Sequence, residues 1–177
     1  MKTILSIVLT ACVLFGCNNP TTSLTPQEKA FAGKYYAIKN DTIGIKQIYG
    51  TIESYTDYKT DRSAYSYTTL KLFFSTESIG TITLEYEMTY NSDWKIRNDT
   101  LFESLIPDSY KMSLKNINQQ GIFAEKISEI MDPYTEMLSA HLKETILKND
   151  AVKIVEITPE KIVVELDGVN ETIKKVK

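Results

Sequence analysis

The chain has 177 residues, with 20 Lys and Arg against 23 Asp and Glu, and a formal net charge of −3. That length suits one domain with a real core, and the only dense basic run is the terminal Lys174-Lys175-Val176-Lys177, so the charge pattern excludes a nucleic-acid partner. Eleven Tyr against seven Gly and five Pro favour a β-rich body with few irregular loops.

Met1 and Lys2 form a short positive start, and an apolar run follows from Ile4 to Phe15, interrupted by Ser6 and Thr10. This run is shorter than the roughly 20 residues a membrane-spanning helix needs, and it has the length of a secretory signal's apolar region. Leu14-Phe15-Gly16-Cys17 resembles a lipobox, the cleavage and lipidation signal of bacterial lipoproteins. The resemblance implies that residues 1–16 are removed and that the Cys17 thiol carries the lipid. Of the two cysteines, Cys12 then leaves with the signal, and the folded body holds no thiol for a disulfide, a metal site or a nucleophile. More than one acyl chain, at about 0.8 kcal/mol per buried CH₂, makes a stable membrane anchor. Asn18 to Thr25 is polar and uncharged and reads as a tether of at most about 28 Å. The lipoprotein sorting rule retains proteins with Asp after the lipidated Cys at the inner membrane. Asn18 therefore points to the outer membrane of a Gram-negative envelope. The expected organisation is a signal peptide (1–16), a lipidated tether (17–25) and a single domain (26–177).

Thr25-Pro26-Gln27-Glu28 is a capping box with Pro at the first helical position, which predicts a short helix over about 26–32 stopped by Gly33. Strands with period two follow. Residues 34–40 form the first, and residues 42–55 the second, with a turn or bulge where the apolar phase slips between Ile45 and Ile48. The polar residues 56–64 read as an exposed loop, and 65–74 as the next strand. In 81–90, Ile82, Leu84, Tyr86, Met88 and Tyr90 face one way while Thr83, Glu85, Glu87 and Thr89 face the other. Asn91-Ser92-Asp93 reads as a turn into Trp94–Asp99, followed by Thr100–Leu105. Residues 109–117 alternate again. The period then changes. Phe123, Ile127, Ile130, Tyr134, Met137, His141 and Leu142 recur at three and four, an amphipathic helix over about 122–148 that Asp132-Pro133 kinks or divides. Residues 151–158 and 161–166 return to strand. Asp167-Gly168 signals a type I′ hairpin into 169–176.

The order predicts a mainly β fold. It is an antiparallel meander forming a barrel or strongly curved sheet of about eight strands, with one long kinked helix inserted before the last three. The helix either plugs an open end or packs on the outer face. Phe31-Ala32-Gly33-Lys34-Tyr35 resembles the short helix and Gly-x-Trp start of lipocalin-like domains, with Tyr35 in place of Trp. The closing pair Lys161–Lys177 and the segment Trp94–Leu101 are similar to the final hairpin and central strand-turn-strand of small lipocalin-like lipoproteins. The resemblance implies a lipocalin-like barrel that binds a small apolar molecule.

Chemistry-bearing patterns are sparse. His141 is the single histidine and falls on the helix's apolar stripe, where packing or a hydrogen bond is expected. Glu85 and Glu87 share one strand face about 7 Å apart, and their Thr neighbours mark that face as solvated. Asp93, Asp99 and Glu103 lack the spacing of a calcium loop, so no metal is assigned. Nucleophile-elbow, P-loop and dinucleotide fingerprints are missing, so no cofactor is expected and a non-enzymatic protein is the reading. Tyr67, Phe73, Tyr86, Tyr90 and Trp94 are the candidate pocket-lining residues. Asp41-Thr42-Ile43 and Asp99-Thr100-Leu101 resemble an O-glycosylation sequon of exported proteins in one group of gut-associated bacteria, which implies Thr42 and Thr100 as acceptors. The expected function is a membrane-anchored envelope lipoprotein binding a small apolar or amphipathic ligand. The alternative is a protein-interaction lipoprotein, an inhibitor or assembly accessory docking on an envelope protein.

Overall fold

In the computed structural model, which describes residues 23–42, 48–76, 80–118, 124–148, 151–166 and 168–176, the chain opens on helix α1 (Pro26–Phe31). The capping box is complete. The Thr25 hydroxyl accepts from the Glu28 N–H, and the Glu28 carboxylate accepts from the Thr25 N–H. Residues 1–22, Cys17 among them, lie outside the described residues.

Nine strands follow: β1 (Gly33–Thr42), β2 (Ile48–Tyr58), β3 (Ser63–Thr76), β4 (Gly80–Arg97), β5 (Thr100–Leu105), β6 (Lys111–Asn118), β7 (Ala151–Ile157), β8 (Lys161–Leu166) and β9 (Val169–Val176). Helix α2 (Ala124–Lys148) stands before the last three. Eight strands close an antiparallel barrel in the order β1-β2-β3-β4-β5-β7-β8-β9, and β9 returns to β1. The meander is therefore a closed barrel rather than an open curved sheet. Strand β6 is the ninth and stands outside the ring.

The geometry turns on β4, which is long enough to belong to two structures. Its residues Ser92–Arg97 pair with β5 inside the barrel, while Thr83–Thr89 pair with β6. Strand β1 likewise meets β9 only through Lys34–Tyr36. Beyond those points β1, β2, β3, β4 and β6 continue as a flared sheet that overshoots the barrel. Helix α2 lies on this flare. Its Met131, Leu138 and Leu142 pack against Leu70, Leu72, Leu84 and Tyr86, on the same face whose continuation is the barrel core. It thus caps one side of the open end and does not pack on the outer surface. Pro133 sits inside one continuous helix, so Asp132-Pro133 does not divide it.

Three boundaries differ from the sequence expectations. Residues 56–64 are mostly strand: β2 runs to Tyr58 and β3 starts at Ser63, leaving Lys59–Arg62 as the turn. Thr56, Tyr58 and Ala64 face the interior, and the hydrogen-bond ladder overrides the polar composition. Asn91-Ser92-Asp93 is no turn. It lies within β4, where Asn91 and Asp93 face out while Ser92 is buried. The turn falls instead at Asn98-Asp99, whose φ values of 50° and 58° are the type I′ signature. Third, Thr42 ends β1 and β2 begins at Ile48, so residues 42–55 are not one strand; 43–47 lie outside the described residues. Gly168 has φ 77° between the paired Leu166 and Val169, as the expected hairpin requires, with Asp167 outside the described residues.

The covered stripe of α2 also differs from the expected one. Tyr134 and Met137 are 54 % and 65 % exposed, and His141 is exposed as well, not packed. Leu142 of the expected stripe packs on the sheet, beside Met131 and Leu138, which that stripe leaves out; Phe123 and the side chains of Ile127 and Ile130 lie outside the described residues.

Candidate functional site

The barrel floor is built by α1. Phe31 inserts between Tyr58 and Trp94, with ring centroids 4.8 and 5.3 Å away, and stacks on Tyr35 at 5.3 Å. The Tyr35 hydroxyl donates to the Phe31 carbonyl. Lys175 of β9 crosses over this corner and donates from Nζ to the Ala30 carbonyl at 2.8 Å, satisfying a helix C-terminal acceptor. Gly33 permits the crossing. A Cβ there would stand 2.5 Å from Lys175 Cε, and its φ of 145° disfavours any side chain. Burial lowers the Lys175 pKa.

Above the floor, the inward positions of neighbouring strands turn polar. Cross-strand partners Ser54 and Thr68 share a hydrogen bond of 2.9 Å, and Thr56 and Ser66 one of 3.0 Å. The belt ends at Glu103 of β5. Its Oε2 accepts from the Tyr58 hydroxyl at 2.8 Å, and its Oε1 from the Ser92 hydroxyl at 2.6 Å. Burial, reinforced by the Glu103 charge, raises the Tyr58 pKa well above the usual phenol value. Burial pushes Tyr90 up to about 12. Both phenols are therefore neutral at physiological pH, and Tyr58 donates to Glu103.

Two cavities meet at this carboxylate. One, of about 190 Å³, lies in the barrel and is lined by the polar side chains of Glu103, Tyr58, Thr56 and Ser54 and the apolar ones of Ala37, Leu101, Ile162 and Val164. The second, of about 200 Å³, lies beneath α2 and is lined by Glu103, Tyr90, Leu105, Thr145 and Ile146. The arrangement offers apolar walls, fixed hydroxyl groups and one carboxylate.

The five aromatics expected to line a pocket do not share a face. Tyr67 and Phe73 project from the outer side of β3, where the Tyr67 hydroxyl donates to Glu87. Tyr86, Tyr90 and Trp94 all project inward from β4 but reach different places. Trp94 is packed in the floor, Tyr86 lies in the core beneath α2, and Tyr90 lines the second cavity. The sequence analysis weighs Glu103 only as a calcium-loop carboxylate and does not single out Tyr58 or Ser92. A signal for Glu103 exists: in Thr100–Leu105 it occupies the apolar phase between Leu101 and Leu105. Tyr58 and Ser92 were hidden because their segments read as loop and turn.

The remaining candidates are spread over the outer face and the strand ends. Glu85 and Glu87 pair with Lys71 at 3.9 Å and Lys115 at 2.6 Å on the outer face. Among the described residues, no group of three or more His, Asp or Glu side chains is placed to hold a metal ion. Thr42 ends β1 and Thr100 begins β5, half-buried. The outer face of β1–β3 carries a tyrosine row: Tyr36 and Tyr55 have ring centroids 4.8 Å apart, and Tyr55 is paired with Tyr67 in register.

No protein-family model matches the chain, and no curated protein matches it. Among solved structures, an uncharacterised protein from Bacteroides eggerthii is similar at 13 % identity and a TM-score of 0.35, over 82 % of this chain and 98 % of that one.

Proposed function

We propose that the chain is a non-enzymatic, lipid-anchored envelope protein whose barrel holds a small apolar or amphipathic ligand. The observation that carries the reading is the 190 Å³ cavity lined by Leu101, Ile162 and Val164 together with the hydroxyl groups of Ser54, Thr56 and Tyr58. Mostly apolar walls with a few placed polar groups are the usual composition of a small-molecule site. An apolar cavity of about 150 Å³ takes benzene, so the ligand body is of roughly one-ring size.

The test uses para-fluorotoluene, a neutral probe of that size, followed by fluorine NMR. The wild-type protein is expected to bind it. Ala37→Phe places a ring in the cavity and is expected to abolish binding while leaving the thermal melt and near-UV circular dichroism intact. Ala37→Leu, a smaller intrusion, serves if the Phe variant does not fold. No binding by the wild-type protein, or binding unchanged in a folded variant, overturns the reading.

The anchor is a separate element of the proposal and rests on Leu14-Phe15-Gly16-Cys17. Cys17→Ser is expected to abolish labelling by an alkyne fatty-acid probe and to release the protein from the membrane fraction. Retained labelling and membrane retention in that variant would remove the lipid anchor. Asn18 favours the outer membrane as destination.

A second reading, docking on an envelope protein, draws on Ile38, Tyr49, Tyr55 and Tyr65, which are exposed on the outer face of β1–β3. It gains ground if the cavity test fails while crosslinking in the envelope traps a partner on that face.

A further inference from the structure

We infer that the barrel cavity selects a small amphipathic amine, with its ammonium group on the Glu103 carboxylate and its apolar body against Leu101, Ile162 and Val164. The inference rests on the cavity reading above and adds the chemistry of the head group. Glu103 lines both cavities, so it stands where a ligand in either one would present its polar end.

The carboxylate's partners are neutral. Tyr58 and Ser92 each donate one hydrogen bond to it, one per oxygen. The ion pairs of the described residues involve other carboxylates, and none brings a Lys, Arg or His side chain to Glu103. An ionised carboxylate offers about four acceptor positions, so two directions remain open after these bonds. Withdrawing such a charge from water without a counter-ion is unfavourable, and a cation that arrives with the ligand offsets that cost. Hydrogen bonds between ionised partners are also roughly twice as strong as neutral ones. An anionic head group meets the reverse situation, because Glu103, the one charged side chain among the described residues lining the cavity, repels it.

Tyr58 and Ser92 sharpen the geometry. They reach Glu103 from β4, the strand paired with β5, and from β2, two strands further along the ring, and hold both oxygens in place. A carboxylate fixed in this way is positioned before the ligand enters, which limits the ordering cost of binding.

The experiment compares four para-substituted fluorobenzenes of similar size on the full folded chain at neutral pH, by fluorine NMR titration. They are fluorotoluene, fluorobenzyl alcohol, fluorobenzylamine and fluorobenzoate. The amine is expected to bind at least about tenfold more tightly than the alcohol, and the benzoate most weakly. Glu103→Gln keeps the side-chain size and is expected to bring the amine's affinity down to that of the alcohol measured on the same variant. Equal affinity of amine and alcohol, or an amine preference that survives Glu103→Gln, overturns the inference. If fluorotoluene binds but the amine gains nothing, only the head-group inference falls. If fluorotoluene itself does not bind, the cavity reading falls first. The ligand series on the unaltered protein decides the matter even if Glu103→Gln does not fold.

Discussion

Replacing Glu28 with Gln is expected to destabilise the fold by about 3 kcal/mol at neutral pH, at the low end of the range for breaking a buried ion pair. Glu28 is 1 % exposed, and its carboxylate has no water to fall back on. Four N–H donors reach it: Arg62 Nε at 3.1 Å, Arg62 Nη2 at 2.9 Å, the Thr25 backbone at 2.9 Å and the Ile96 backbone at 3.4 Å. It therefore links α1, the β2–β3 turn and β4 at one point. The Arg62 hydrogen bonds, partly opposed by burial, lower its pKa from 4.5 to about 2.

The sign of the pH dependence follows. The folded-state value lies below the unfolded one, so the stabilisation is fully present above about pH 4.5 and is lost as pH falls toward 2. At about 1.4 kcal/mol per pKa unit, that loss also comes to roughly 3 kcal/mol. Urea midpoints measured from pH 2 to 7 check both statements. The wild-type midpoint should fall across this window, and Glu28→Gln should show a shallower dependence from a lower start. Parallel curves for the two proteins would show that another group sets the acid response. Since small domains are stable by about 5–15 kcal/mol in all, a loss of this size is large enough to see without ambiguity.

Trp94→Ala is expected to cost about 3–5 kcal/mol, the range for deleting a large buried aromatic. Trp94 is 2 % exposed and touches the rings of Phe31 and Tyr58. Its indole N–H is shared between the carbonyls of Lys59, at 3.2 Å, and Ser63, at 3.1 Å. Those two carbonyls belong to the ends of the turn that also carries Arg62, and the Arg62 carbonyl accepts from the Trp94 backbone N–H at 2.8 Å. Trp94 thus packs the floor and holds the turn that presents Arg62 to Glu28. Trp94→Phe keeps most of the packing and loses the shared hydrogen bond, so it should cost only about 1–2 kcal/mol. Urea unfolding followed by far-UV circular dichroism separates the two variants. A cost below about 1 kcal/mol for Trp94→Ala would mean that the floor rearranges around the gap. The Glu28 and Trp94 effects share Arg62, and their double variant should fall short of the sum.

The legible and illegible parts of the chain divide along a physical line. Where one short segment holds both partners of an interaction, its structure was readable. The capping box at Thr25–Glu28 and the strand alternation at 81–90 belong to this class, and so does the Asp167-Gly168 hairpin signal, of which Gly168 is described. Where composition and ladder disagreed, composition misled. Asn91-Ser92-Asp93 is rich in turn formers, yet both edges of β4 are paired there, to β3 and to β5. The ladder hydrogen bonds of two neighbours outweigh a local turn preference. On α2, apolar residues recur on neighbouring faces, and only the position of the sheet selects Met131 and Leu138, along with the expected Leu142, over Tyr134 and Met137.

Local periodicity and turn chemistry, which act over a few residues, are enough to specify an antiparallel β meander with a capped entry helix and a long helix before the last three strands. Closure of the barrel, the division of β4 between the barrel and a flared sheet, and the meeting of Glu103 with Tyr58 and Ser92 arise only when distant segments pack together. Those three residues lie on three strands, 11 and 45 positions apart from Glu103. No local rule relates positions at such separations; closure of the ring brings them together, and the low-polarity interior makes their meeting matter.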